Sequence, residues 1–176
     1  MGAKGRRALF LDRDGVVNED YHYPCMSAHI TFRPGIFELC RKAARLGYMI
    51  FVVTNQAGVA KGKFTEADVR SLHAWMRAEF EKQGVSIAEF YYCPYHIDGI
   101  VAEYAIDSDW RKPKPGMFLQ AAKDHLIDLT ASVMVGDKET DRIELPGLKC
   151  IIVKSQYTTE GWDVETLEEV GEMLDA

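Results

Sequence analysis

Two carboxylates one residue apart, Asp12 and Asp14, end an apolar run over residues 8–11 and are followed at once by Gly15. Acids that close repel each other, so the pair makes physical sense if a cation or a transferring charge sits between them. Thr54-Asn55-Gln56 closes a second apolar run, Arg111-Lys112-Pro113 precedes a helical pattern, and Gly136-Asp137 closes a third apolar run. Each cluster has a plain structural reading of its own. Asp-Gly is a common turn, Lys112-Pro113-Lys114-Pro115 could be a stiff connector, and Asp137 or Thr54 could cap the next segment of chain. All four plain readings would have to hold together to remove the chemistry.

The elements that must position these residues alternate along the chain. Four apolar residues over 8–11 suit a strand buried on both faces. Pro34 opens a helix with Ile36, Leu39, Cys40 and Ala43 on one stripe, and Gly47 closes it. Residues 48–53 read as a second strand. Thr65, with Asp68 three places on, caps a second helix that buries Val69, Leu72, Met76 and Phe80 and ends at Gly84. Residues 90–93 form a third strand and 94–115 an irregular stretch, which at that length is usually functional or mobile. A third helix spans 117–126, ahead of strands over 132–135 and 150–153. Asp163 is expected to cap a last helix through residue 173, with Leu167, Val170 and Leu174 inward. This alternation predicts an α/β fold, one domain over 1–176, with an open parallel sheet and right-handed crossovers. Ligands bind outside the C-terminal strand ends of such sheets, so the four clusters should converge.

Composition sets bounds. The chain is 47% hydrophobic and 27% charged, with a formal net charge of -6, as in an ordinary soluble globular protein. That balance argues against a nucleic-acid partner, which needs a basic face. The N-terminal apolar run is too short to be a signal peptide or membrane span. Met1-Gly2 lacks the Ser/Thr that myristoylation wants, Arg6 standing in its place. A cytoplasmic location with no membrane partner is expected, and a monomer. Cys25, Cys40, Cys93 and Cys150 show no Cys-x-x-Cys spacing, and a disulfide framework is not expected.

With these residues in place the chain resembles the haloacid-dehalogenase superfamily of phosphotransferases. Its four motifs stand in order as Asp12-Arg13-Asp14-Gly15, Thr54, Lys112-Pro113-Lys114-Pro115 and Gly136-Asp137-Lys138-Glu139-Thr140-Asp141. The resemblance implies a Rossmann-like sheet with helices on both faces. It also implies hydrolysis of a phosphate monoester, whose own oxygens repel a nucleophile, so that positioning and charge neutralisation carry the catalysis. Asp12 would be the nucleophile, forming an aspartyl-phosphate. Asp14 would protonate the leaving alcohol and then activate water, so a raised pKa is expected there. Mg²⁺ would sit on Asp12, the main-chain carbonyl of Asp14, and Asp137. Thr54 would donate to the phosphoryl group, and Lys112 would neutralise charge while Asp141 holds it.

Longer stretches are similar to one branch, the D-glycero-D-manno-heptose 1,7-bisphosphate 7-phosphatases, with histidinol-phosphatases as near relatives. These stretches include residues 12–18, 54–65, 91–94, 111–113 and 134–138. The branch carries no large cap domain, and its heptose substrate belongs to carbohydrate metabolism and lipopolysaccharide biosynthesis. Its substrate contacts would fall on Asp20, Tyr21, His22, Tyr23, Thr54, Asn55, Gln56, Ala57, Arg111 and Lys138. A bisphosphate needs a second anion site, for which Lys61, Lys63, Arg111, Lys114 and Lys138 are the available cations. Arg111 leads, since its planar fork binds two oxygens at once. Other readings are a histidinol-phosphatase, a broader sugar-phosphate phosphatase, or an idle phosphosugar-binding protein, against which the intact Asp12/Asp14 pair argues.

The chain departs from the branch at a zinc loop of the form Cys-x-His followed by Cys-x-Cys. Cys93 stands, but Tyr95, Ser108 and Trp110 hold the other three places, and His96 is one residue off. One ligand cannot close a tetrahedral site, so zinc is not expected, and Tyr95 and Trp110 become candidates for replacement packing. Pro146-Gly147 also interrupts residues 142–149, where the branch carries a longer helix.

Overall fold

Alternation within the first strand sets the architecture. In β1 (Arg7–Leu11) the side chains of Leu9 and Leu11 enter one apolar cluster and those of Ala8 and Phe10 a second, all four without solvent exposure. A strand so placed needs cover on both sides, since successive residues point to opposite faces. The structure, a computed structural model, describes residues 5–174. Met1-Gly2 and the extreme ends of the predicted domain lie outside the described residues.

Four more strands complete a wholly parallel sheet: β2 (Tyr48–Asn55), β3 (Ile87–Cys93), β4 (Val133–Gly136) and β5 (Lys149–Ile152), in the order β3-β2-β1-β4-β5. One face is covered by α1 (Ile36–Arg45), α2 (Glu66–Lys82) and α4 (Leu167–Leu174). They send Ile36 and Leu39, Leu72, Met76 and Phe80, and Leu167 and Val170 into the cluster of Leu9 and Leu11, while Val69 of α2 packs separately with Val59 and Phe64. The other face is covered by α3 (Gly116–His125) through Met117, Phe118 and Ala121, with Phe10 against Phe51 and Phe118. This is the α/β sheet with helices on both faces. Connections rather than a separate cap lie beyond the strand ends among the described residues.

Local signals explain most boundaries. Thr65 and Asp68 form a reciprocal capping box at α2, an arrangement worth about 1 kcal/mol. Asp163, by contrast, does not cap α4. Its carboxylate accepts from the Ile152 N–H at 2.8 Å and lies 3.4 Å from Arg142, while Thr166 Oγ1 accepts from the Glu169 N–H. A long-range partner took the acid away from the local role its spacing offered. Residues 94–115 are irregular apart from a 3-10 turn at Ala102–Tyr104. Tyr95 and Trp110 pack against the α3-side cluster, Trp110 edge-on to Tyr91 and Tyr95 against Tyr104. Residues 142–148 form no helix, yet Ile143 and Leu148 are buried in that cluster. No helix among the described residues is long and apolar enough to cross a membrane.

Candidate active site

The strand order reverses across β1 and β4, and the polar clusters meet there. Asp12 leaves the end of β1, its N–H bonded to the Val135 carbonyl, and Asp137 leaves the end of β4. Lys112, from the segment before α3, reaches in between Asp12 and Asp141. Its Nζ donates to Asp12 Oδ1 at 2.8 Å, Asp141 Oδ1 at 2.6 Å and the Val53 carbonyl at 3.0 Å. All three ammonium protons are thereby used. Asn55 at the end of β2 fixes the lysine backbone from both sides. Its Oδ1 accepts the Lys112 N–H at 3.0 Å, and its Nδ2 donates to the Lys112 carbonyl at 3.2 Å. Asp141 Oδ2 accepts from the N–H groups of Asp137 and Lys138, so this acid ties the lysine to the β4 turn.

Two glycines permit the approach. A Cβ on Gly15, whose φ is +100°, would stand 2.2 Å from Asp137 Oδ2, and one on Gly136 would stand 2.0 Å from Asp141 Cβ. Asp12, Asp137 and Asp141 can each bring one oxygen within 4.8 Å of the others. Burial, with the Asp141 charge, holds the Asp12 carboxyl well above the usual range despite the pull of Lys112. Burial also raises Asp137. Lys112 is buried, but Asp12 and Asp141 outweigh that and strengthen its hold on the proton.

The donor set fits a divalent cation. Both carboxylate oxygens of Asp137 are buried without a hydrogen-bond partner, an arrangement that costs free energy unless something else meets them. Asp141 has its oxygens committed to Lys112 and the turn, which leaves Asp12 and Asp137 as the open oxygen donors. Hard oxygens of this kind suit Mg²⁺.

Asp14 differs from the expectation of a raised pKa. Burial pushes its carboxyl upward, but the Arg13 guanidinium and further donors bring it below the ordinary value. Arg13 forks onto both oxygens, Nε to Oδ1 at 3.0 Å and Nη2 to Oδ2 at 3.1 Å, while Asn18 Nδ2 and Gln56 Nε2 add one bond each. Four N–H donors stabilise the ionised form. Gln56 Nε2 also donates to Thr54 Oγ1 at 2.9 Å, which leaves the threonine proton for another acceptor.

A polar cavity of about 270 Å³ opens above these groups. Asp12, Asp14, Thr54 and Lys112 line it, as do Asp20, His22, Tyr23, Asn55, Gln56, Ala57, Arg111 and Lys138. Two residues placed in the site from sequence stand elsewhere. Tyr21 is 61% exposed and lines neighbouring depressions. Lys61 does not line the cavity and donates one bond to Tyr23 Oη at 3.2 Å, so it stands behind a lining side chain. Lys63 lies over the Tyr23 ring and Lys114 pairs with Asp107. Two cations therefore face the cavity besides Lys112. Lys138 sits 3.1 Å from Asp20 and over the Tyr157 ring. Arg111 keeps a buried Nη1 without a partner. Sequence reasoning missed Gly58, Thr140 and Tyr157 in the lining. Tyr157 is brought in because Ser155 and Thr158 hydroxyls both donate to the Asp137 carbonyl, a long-range closure with no local signature.

Comparison with known proteins gives a consistent set of relatives. The family profile described as polynucleotide kinase 3 phosphatase matches residues 17–160. The chain is 43% identical over 139 residues to a D-glycero-beta-D-manno-heptose-1,7-bisphosphate 7-phosphatase of Rhodopseudomonas palustris, covering 79% of this chain and 77% of that one. It is 47% identical over 135 residues to a D-glycero-alpha-D-manno-heptose-1,7-bisphosphate 7-phosphatase of Burkholderia mallei, covering 77% and 71%. Among solved structures, a HAD-like phosphatase from Mesorhizobium loti superposes with a TM-score of 0.84 at 32% identity, over 99% of this chain and 89% of that one. The D,D-heptose 1,7-bisphosphate phosphatase of B. bronchiseptica, complexed with magnesium and phosphate, gives 0.76 at 26% identity over 96% and 97%.

Proposed function

We propose, from the premise that this chain belongs to the heptose-1,7-bisphosphate 7-phosphatase family of haloacid-dehalogenase-like phosphatases, that it removes the 7-phosphate of D-glycero-D-manno-heptose 1,7-bisphosphate. The observation that carries the reading is the buried lysine between two acids, Asp12–Lys112–Asp141, set beside the unpartnered carboxylate of Asp137. Asp12 and Asp137, with the main-chain carbonyl of Asp14, would hold Mg²⁺, which supplies positive charge against the phosphoryl oxygens when bound.

The chain's own groups then divide the work. Lys112 fixes one oxygen of Asp12 and offsets its charge. The Asp12 carboxylate attacks phosphorus, an O–P bond to Asp12 forms, and the bond from phosphorus to the sugar oxygen breaks. Thr54 offers its free hydroxyl proton to the phosphoryl group, Gln56 having fixed the oxygen. Asp14 passes a proton to the departing sugar oxygen and later takes one from the water that hydrolyses the aspartyl-phosphate. The four donors on Asp14 favour its ionised form, which the second step uses. For the first step, a phosphoryl dianion arriving beside it raises its proton affinity.

Arg111 is assigned to the distal phosphate. The Arg111 side chain lines the cavity, and its Nη1 is not spent on a protein acceptor, so the guanidinium fork is the cation there best suited to an anion's oxygens. Lys138 supplies a second positive charge lining the same cavity. The relatives named for this reaction include both anomers, so the test is a turnover panel. The α and β heptose bisphosphates, histidinol phosphate and sugar monophosphates are compared by kcat/KM. A bisphosphate anomer is expected to lead. Histidinol phosphate or a monophosphate in first place would overturn the assignment.

A further inference from the structure

Arg13 is the bulkiest of the wholly buried side chains, and the chemistry above leaves unexplained why so large a cation is held there. Two of its nitrogens fork onto Asp14. Nη2 donates again to the Pro24 carbonyl at 3.0 Å, just past the residues that bring His22 and Tyr23 to the cavity. Nη1 lies 3.2 Å from His73 Nε2. A guanidinium can only donate, so Nε2 of His73 is the acceptor and the imidazole is neutral. Burial, with the Arg13 charge beside it, favours that form.

His73 is itself held rigidly. It projects from α2, stacks on Phe90 at 4.7 Å between ring centroids and meets Tyr92 edge-on at 5.8 Å. A planar guanidinium turns about its own chain until its bonds fix the plane. Here the plane has anchors on three sides: Asp14, the Pro24 carbonyl and His73. We propose that His73 is a positioning residue for Asp14, a neutral acceptor on α2 that sets the plane of Arg13 and through it the aim of the Asp14 carboxyl at the leaving oxygen. The inference rests on the reading of Asp14 as proton donor.

The test compares two leaving groups in the magnesium-loaded full chain. A sugar alkoxide needs a proton as it departs, whereas p-nitrophenolate hardly does. The ratio kcat/KM covers the steps through leaving-group release and excludes the later hydrolysis, in which Asp14 serves every substrate alike. His73→Leu removes the acceptor, His73→Asn keeps polarity but does not reach Arg13, and His73→Gln can place an oxygen near the position of Nε2. Thermal melts establish folding, and should the leucine variant fail, the Asn and Gln pair carries the comparison.

The Leu and Asn variants are expected to lose about tenfold or more on heptose bisphosphate and under about threefold on p-nitrophenyl phosphate, with Gln near wild type on both. Equal losses on the two esters, no loss on the sugar ester, or no rescue by a folded Gln variant would overturn the positioning role. Asp14→Asn is measured alongside. If it too loses equally on both esters, the proton-donor reading of Asp14 fails. If it discriminates and the His73 variants do not, only the positioning inference fails.

Discussion

Asp137→Asn separates the metal site from the fold, because the charge it removes harms the metal-free protein. Asp137 has no solvent exposure, and neither carboxylate oxygen has a hydrogen-bond partner. An unsatisfied buried polar group costs about 1–3 kcal/mol, and more when charged. Asparagine keeps the shape and removes the charge but still brings amide groups with unmet bonds, so a net gain of about 1–2 kcal/mol is expected. At this chain length each kcal/mol moves Tm by about 2–4 °C, which places the variant about 2–8 °C above wild type in chelator at pH 8. The sign with pH follows from the raised folded-state pKa of Asp137. Below the ordinary carboxylate value of about 3.9 both states are protonated and the penalty is absent. It grows as pH rises through the higher folded value. The advantage of the variant should therefore vanish near pH 4. Mg²⁺ at about 100 times its Kd should stabilise wild type by about 2.7 kcal/mol and the variant much less, reversing the order. Thermal melts from pH 4 to 8, with chelator or with Mg²⁺, read all of this. A lower Tm for the variant in chelator at pH 8, or equal Mg²⁺ shifts in both proteins, would refute the reasoning.

Asp12→Asn should abolish turnover with the fold intact, because an amide does not attack phosphorus as a carboxylate does; near-normal turnover in the folded variant would remove Asp12 as nucleophile. Asp14→Asn should lower kcat on the sugar ester by about 10²-fold or more through lost proton transfer, measured by phosphate release at saturating substrate. Arg111→Ala should lower kcat/KM for a bisphosphate about ten- to hundredfold, the worth of a charge-assisted contact of roughly 1.5–3 kcal/mol. A monophosphate lacking the distal group should suffer much less, and equal losses would place Arg111 at the reacting centre instead. Elemental analysis of the purified protein should find no stoichiometric zinc, since Tyr95 and Trp110 pack into the α3-side cluster where the branch carries ligands. One zinc per chain would contradict that and implicate Cys93 and His96.

The parts of the site that were legible in the sequence depend on the topology of a parallel sheet. Buried strands place their C-terminal ends on one edge, so Asp12, Thr54 and Asp137 could be brought together from hydrophobic runs alone, and Lys112 joined them through its motif. The α2 cap was legible because Thr65 and Asp68 act locally. The hidden parts depend on distant partners. Asp163 has the spacing of a helix cap, but the Ile152 N–H and Arg142 claim it. Lys61 is a cation in the right loop, but it stands behind Tyr23, donating to its hydroxyl, and does not line the cavity. The lowered pKa of Asp14 arises from Arg13, Asn18 and Gln56 meeting on one carboxylate. The family resemblance carried the role of Asp14 without those neighbours. Tyr157 reaches the cavity only because Ser155 and Thr158 fold back onto the Asp137 carbonyl.

The most direct test of the proposed reaction is phosphorus NMR of heptose 1,7-bisphosphate incubated with the protein and Mg²⁺. Loss of the 7-phosphate resonance, growth of inorganic phosphate in equal amount and an intact anomeric 1-phosphate are the expected result. Release of the 1-phosphate, or an unchanged spectrum with protein that is folded and metal-loaded, would contradict it.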